Sequence, residues 1–169
     1  MVNRPRTRNL TLADYQSLAE LRYQIRKFVR FSEQAARRAH LEPRQHQLLL
    51  ALKGLPRGVR PRVGEVAERL QLEPHSTLEL ANRLAARGFI LRRHDSDDRR
   101  EVLLRLTSKG EDVLRRLSLH HQAELQNAGP ALILALTGVL GRRSGVSRSG
   151  RTQTQPGSIG IRRETSWRR

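Results

Sequence analysis

The chain has 169 residues, enough for one domain and a short extension. It holds 33 Lys and Arg against 16 Asp and Glu, a net charge of +17, and no cysteine. Disulfides and thiolate metal sites are thereby excluded, a polyanionic partner is indicated, and a composition of 37% hydrophobic but only 4% aromatic residues calls for an aliphatic, mainly helical core.

The charge is uneven. Residues 1–9 carry Arg4, Arg6 and Arg8 and no acid. Residues 141–169 hold eight arginines and one acid, Glu164, among five Gly and five Ser. Residues 1–10 read as a flexible basic start, and 141–169 as a disordered tail unable to bury enough apolar surface to order itself. The longest apolar run, 131–136, is far below the ~20 residues of a membrane span. No apolar signal segment opens the chain, so a cytosolic setting without a membrane partner is expected.

Between these ends the elements follow in order. Leu12, Tyr15, Leu18, Leu21, Ile25, Phe28 and Val29 recur every three or four residues and predict one helix over 11–40, with Thr11 as N-cap and Asp14 three residues on. A stripe this long needs more cover than a small domain offers, so a second subunit is expected on it. Pro43 suits the first turn of a second helix, to about Leu52. A short helix over Val63–Leu70 turns Val66, Ala67 and Leu70 inward. Gln71–Glu73 form a tight turn before a fourth helix, from Pro74 to about Arg87, closed by Gly88. Two short helices joined this way make a helix-turn-helix.

The period then changes to two. Phe89–Arg93 and Arg100–Leu106 read as a hairpin around the polar turn His94–Arg99, a wing placed directly after the second helix of the motif. A helix over Ser108–Gln126, a break at Asn127–Pro130 and a last apolar helix over Ala131–Leu140 complete the pattern.

These residues resemble the MarR family of winged-helix transcriptional regulators. Asp98-Arg99-Arg100 followed by Leu106-Thr107-Ser108-Lys109-Gly110 is similar to the family's wing signature, D-x-R then LT-x-x-G. Val63–Leu70 and Leu84–Ile90 resemble the family's first motif helix and the end of its recognition helix. The likeness covers about 11–140. It implies a mainly α fold with a small β-hairpin wing, dimerisation helices at about 11–40 and 108–140, and a DNA-binding part at about 43–106. It further implies a homodimer on a palindromic operator in double-stranded DNA. That dimer is expected to be cytoplasmic and nucleoid-associated in a bacterium or archaeon, usually a repressor released by a small-molecule effector.

The DNA contacts can be assigned from the residues. Thr77, Leu80, Ala81 and Leu84 share one face of the fourth helix, leaving His75, Ser76, Leu78, Glu79, Asn82 and Arg83 outward. His75 suits a guanine acceptor, Ser76 a phosphate or base, and Leu78 a thymine methyl. Glu79 either accepts from cytosine N4 or pairs with Arg83 at i,i+4. On the wing, Arg92, Arg93, Arg99 and Arg100 flank an acidic turn, and an arginine at such a tip suits a narrow minor groove. The family resemblance implies that Arg99 or Arg100 takes that place and that Asp98 braces Arg100, the alternative being an exposed charge-mixed turn. Arg57, Arg60 and Arg62 precede the motif and suit phosphates. Tyr15, Tyr23, His40 and His46 are candidates to line an effector pocket, though ordinary packing accounts for any one of them. His120 and His121 are adjacent, so on a helix they diverge and chelate poorly. No nucleophile elbow, P-loop, dinucleotide fingerprint or paired-carboxylate motif occurs, so no enzyme activity, catalytic residue, metal or cofactor is expected. Two other functions fit parts of the pattern. One is general nucleic-acid binding driven by the basic tail. The other is a winged helix used for protein interaction.

Overall fold

A computed structural model of the chain describes residues 9–94 and 101–141. The basic start, the tail beyond 141 and the wing residues Asp98, Arg99 and Arg100 lie outside the described residues. The elements are α1 (Leu12–Arg38), α2 (Pro43–Lys53), α3 (Val63–Leu70), α4 (Pro74–Ala86), β1 (Ile90–His94), β2 (Val102–Leu106) and α5 (Ser108–Gly141).

Helix α1 starts as its sequence requires. Asp14 N–H donates to Thr11 Oγ1 at 3.2 Å, and Thr11 N–H donates to Asp14 Oδ2 at 2.8 Å, a reciprocal capping box. It ends two residues before His40, which adopts φ +58 and lets Leu41 N–H reach back to the Ala36 carbonyl at 2.9 Å. Pro43, just beyond, opens α2 at its first turn.

The core is aliphatic and lies where α2, α3, α4, the hairpin and the first turns of α5 meet. Leu48, Leu49, Val66, Leu84, Ile90, Leu104 and Leu114 are its centre. Helix α5 runs alongside α1, and the N-terminal half of α1 lies beside the C-terminal half of α5. There the apolar stripes stay uncovered. Leu12 is 74% exposed, Ile133 66% and Leu134 74%, with Tyr15, Leu18, Ile25, Leu136 and Leu140 also exposed.

Several boundaries differ from the sequence expectation, among them the end of β1 at His94, expected in the turn, and the start of β2 at Val102, expected at Arg100. Strand β1 begins at Ile90, because Phe89 drops into the core and its carbonyl accepts Thr107 N–H at 3.1 Å. The break expected at Asn127–Pro130 is absent: α5 is one helix through Pro130. A helical proline loses one hydrogen bond and costs about 3 kcal/mol. Packing on α1, with Ala135 buried on the far side of the proline, offsets that cost.

The two-stranded sheet is antiparallel, with Ile90 opposite Leu106, Arg92 opposite Leu104 and His94 opposite Val102. It is tied to α5 by a very close approach. A Cβ placed on Gly110 would sit 2.1 Å from the Phe89 carbonyl oxygen. Gly110→Ala must therefore displace either β1 or the first turn of α5. The expected loss is ~2–3 kcal/mol, the upper part of the usual range for overpacking. Denaturant unfolding measures it, and a midpoint equal to the parent protein's would contradict this packing.

Candidate nucleic-acid interface

Helices α3 and α4 are joined by a turn that contains no glycine. Gln71 takes the left-handed conformation at φ 52, a conformation that costs a non-glycine residue roughly 1–2 kcal/mol. Its side chain repays part of this locally, as Nε2 donates to the Glu68 carbonyl at 2.7 Å. Leu72 N–H bonds the Ala67 carbonyl at 3.0 Å and closes the corner. The next helix opens with Glu73 as N-cap and Pro74 at the first position. The first amide groups of α4 lack intrahelical acceptors and point out of the helix end, a natural phosphate contact.

The faces of α4 divide as the sequence predicts. Thr77, Leu80, Ala81 and Leu84 are buried. His75, Glu79, Asn82 and Arg83 are exposed, and Ser76 and Leu78 are half-buried. Among the described residues no ion pair joins Glu79 to Arg83. Both side chains are thus available to a ligand in the groove. Arg92 is exposed on β1.

Arg62 is paired: its Nε lies 2.7 Å from Glu101 Oε2, beside the outer end of β2. Arg57 is exposed on the loop before it.

The base of α4 is held by residues that sequence reading passes over. Arg87 donates from Nη1 to Gln45 Oε1 at 3.0 Å and from Nη2 to the His40 carbonyl at 2.6 Å. It thereby fastens the end of the recognition helix to the α1–α2 corner. Arg87 and Lys109 also lie over the Phe89 ring, at 5.0 and 4.6 Å from its centroid. Thr107 Oγ1 accepts from Gly110 N–H at 3.1 Å, capping α5, and donates to the Gly88 carbonyl at 2.7 Å. The sequence signal for Arg87 was weak, because an arginine in this composition is the commonest cation and its acceptors lie more than forty residues away.

The four effector candidates do not converge. Tyr15 and Tyr23 are exposed on α1, with the Lys27 ammonium 5.5 Å from the Tyr23 ring centroid. His40 borders an open groove of about 430 Å³ with Phe31, Arg38, Arg116 and His120. His46 borders a different cavity of about 450 Å³ between α1, α2 and α5, with Phe28, Leu50, His121 and Leu125. Among the described residues no group of three or more His, Asp or Glu side chains could hold a metal ion.

His46 is buried and stacks on His121, with ring centroids 4.9 Å apart and planes 10° from parallel. The His121 Nδ1–H donates to the Leu117 carbonyl, which can only accept. Its Nε2 is therefore unprotonated in the neutral ring and accepts from the Ser32 hydroxyl at 2.8 Å. Burial, reinforced by the neighbouring His121, lowers the His46 pKa from 6.5 to about 4. A neutral His46 thus contributes stability that is complete above pH ~6.5 and is lost as pH falls toward 4. The loss amounts to at most about 3 kcal/mol. Unfolding at pH 7 and pH 4.5 tests this. The parent protein should weaken more than His46→Gln on acidification, whereas equal weakening would assign the effect to other groups.

Residues 41–101 match the sequence profile of the MarR family. The transcriptional repressor MdtR of Bacillus subtilis is 35% identical over 63 residues, which make up 37% of this chain and 41% of MdtR. The aligned stretch thus spans less than half of that relative. Among solved structures, AbsC, a MarR family transcriptional regulator from Streptomyces coelicolor, superposes with a TM-score of 0.65 at 20% identity, covering 82% of this chain and 96% of AbsC. YusO of Bacillus subtilis superposes with a TM-score of 0.56 at 22% identity, covering 82% of this chain and 100% of YusO. At these identities the superpositions establish the fold, and the helix order, hairpin and α4–β1–α5 corner described above are its parts. Residues 41–101 match the MarR family model, and the chain has the winged-helix fold of these MarR-family structures.

Proposed function

We propose that the protein is a dimeric, sequence-specific DNA-binding regulator of transcription. The observation that carries this reading is the solvent-facing side of α4. His75, Glu79, Asn82 and Arg83 form an exposed polar row on the second helix of a helix-turn-helix, on a helix whose opposite face is fully committed to the core. Such a row, entering a major groove, presents about two turns of side chains to base edges. Asn82 suits adenine, Arg83 guanine and Glu79 cytosine. His75 and Ser76 sit at the helix end, where phosphate and base contacts meet, and Leu78 offers an apolar contact to a thymine methyl. Arg92, Arg99 and Arg100 act from the wing in the minor groove, and Asp98 braces Arg100.

The uncovered stripes on α1 and α5 support the dimer. Apolar side chains on two adjoining helix ends, several of them more than half exposed, form a contiguous patch of the kind that subunits cover. A two-fold pair of such chains presents two recognition helices to a palindromic operator. Repression is the reading closest to MdtR, and release by a small-molecule effector fits the cavity beside His46, between the paired helices and α2.

Two measurements check this. Sedimentation at micromolar concentration should give a dimer, and the double substitution Ile133→Glu with Leu134→Glu should give a monomer. Duplexes selected in vitro from a random pool should share a palindromic sequence, and Asn82→Ala or Arg83→Ala should weaken binding to them about 5- to 150-fold. Full binding after loss of residues 142–169, with discrimination against a scrambled duplex, separates this reading from a tail-driven polyanion binder. Equal affinity for both duplexes would overturn it.

A further inference from the structure

We propose that Arg62 and Glu101 form a clamp that sets the position of the wing relative to the recognition helix, so that Arg62 is a positioning residue and not a phosphate ligand. This deepens, and rests on, the DNA-binding reading given above.

Three observations converge on the clamp. The first is backbone. Arg62 makes an antiparallel bridge with Leu103, and Leu104 N–H donates to the Pro61 carbonyl at 2.8 Å. Pro61–Arg62 thus lies along β2, joined to it by one isolated bridge. The second is charge. Arg62 Nε faces Glu101 Oε2 at 2.7 Å, with both facing atoms closed off from solvent although the side chains are 41% and 29% exposed. A shielded pair of this kind is screened less by salt than a surface pair. The third is location. Arg62 is the residue from which α3 starts, and Glu101 immediately precedes β2. Together with Val63, Pro74, His75 and Leu78 they border a cleft of about 450 Å³ between the N-terminus of α4 and the wing.

The geometry gives the pair a role that neither residue has alone. The wing is a two-stranded ribbon whose far end leaves the core, as β1 is exposed from Leu91 onward. A ribbon of two strands is at best marginally stable alone, so its direction depends on what holds it beyond the core. The ribbon leaves the core at Ile90, opposite Leu106, and its middle and outer part are held by the Pro61–Leu104 hydrogen bond and by the Arg62–Glu101 pair, both from the segment that leads into α3. Because α3 packs directly on α4, the clamp fixes the wing to the helix-turn-helix and not merely to its own partner strand. A wing and a recognition helix that enter adjacent grooves need one defined separation. Ordering it before binding removes that entropy from the association step.

A charge cycle tests this. Arg62→Gln and Glu101→Gln should each weaken binding to the selected duplex on the order of tenfold, between the small effect of an exposed pair and the large one of a buried pair. The exchanged pair Arg62→Glu with Glu101→Arg should restore affinity. In a background of Arg99→Ala with Arg100→Ala, the same glutamine substitutions should have little further effect, because the clamp acts through the wing. Loss with Arg62→Gln alone, accompanied by a salt slope shallower by about one, would make Arg62 a phosphate ligand and overturn the proposal. So would unchanged affinity in both single variants, or losses that add fully to those of the wing arginines. Amide exchange at Leu104 reads the clamp without DNA. It should speed up in both single variants and slow again in the exchanged pair, and an unchanged rate would count against the clamp. A chain that selects no duplex while Leu104 responds as expected would overturn the DNA-binding reading and leave the clamp standing.

Discussion

The Phe89 carbonyl occupies the space in which any residue but glycine would place its side chain on the first turn of α5. That approach decides how the two halves of the molecule are joined. Phe89 is the hinge between the recognition helix and the wing, and Gly110 is the third residue of the long helix that pairs with α1. With no Cβ between them, the helix axis can come within backbone contact of the chain leaving α4. Thr107 then satisfies the amide of Gly110 and the carbonyl of Gly88 with one hydroxyl, and Lys109 satisfies the carbonyl of Arg87 while lying on the Phe89 ring. Four consecutive positions, 107 to 110, are thereby spent on one corner, Ser108 by providing the first helical residue. The resemblance in LT-x-x-G has a physical content: the threonine is a two-way hydrogen-bonding cap and the glycine a steric permission.

A second joint lies at the same, C-terminal end of α4. Arg87 bonds a side chain on α2 and the carbonyl of His40 at once, so the end of the recognition helix is referenced to the corner where α1 ends. His40 sits in the left-handed region at that corner, a strained place for a side-chain-bearing residue, and the Arg87 bond to its carbonyl helps hold it there. Beneath the corner, His46 of α2 stacks on His121 of α5, while Phe28 and Phe31 of α1 meet the His121 ring edge-on. The recognition helix is therefore joined to the long helices twice.

Local pattern made much of this legible, and distance in sequence hid the rest. The capping box of α1, the glycine after α4 and the buried quartet Thr77, Leu80, Ala81 and Leu84 are all short-range features, and residues within one or two turns specify them. The wing was legible from alternation, but its first strand was read one residue early because Phe89 looks like a strand residue and is a core anchor. Pro130 was read as a break because proline is a strong local signal. The packing of α5 on α1, which outweighs it, is not local. The same limit applies to Arg62, which reads as one more basic residue until Glu101, thirty-nine positions on, comes to lie against it. His46 offered no sign of its low pKa, since burial and a stacked neighbour are properties of three helices together.

Pairing of this kind also changes what the net charge means. Counted along the chain, the basic excess looks like a broad attraction for phosphate. In the folded part several cations are already engaged: Arg37 with Glu33, Lys53 with Glu111, Arg62 with Glu101, Arg69 with Glu65, and Arg87 with two uncharged acceptors. These hold helices and corners in place, and their charge is at least partly neutralised before any polyanion approaches. Arg83 and Arg92 differ because they stand exposed on the two elements suited to enter grooves. Non-specific affinity scales with the number of phosphates neutralised, whereas discrimination depends on a few side chains held at base edges. A chain that ties down its structural arginines and leaves the recognition face unpaired keeps those two quantities separate. In such a chain the position of a cation says more about sequence reading than the total charge does.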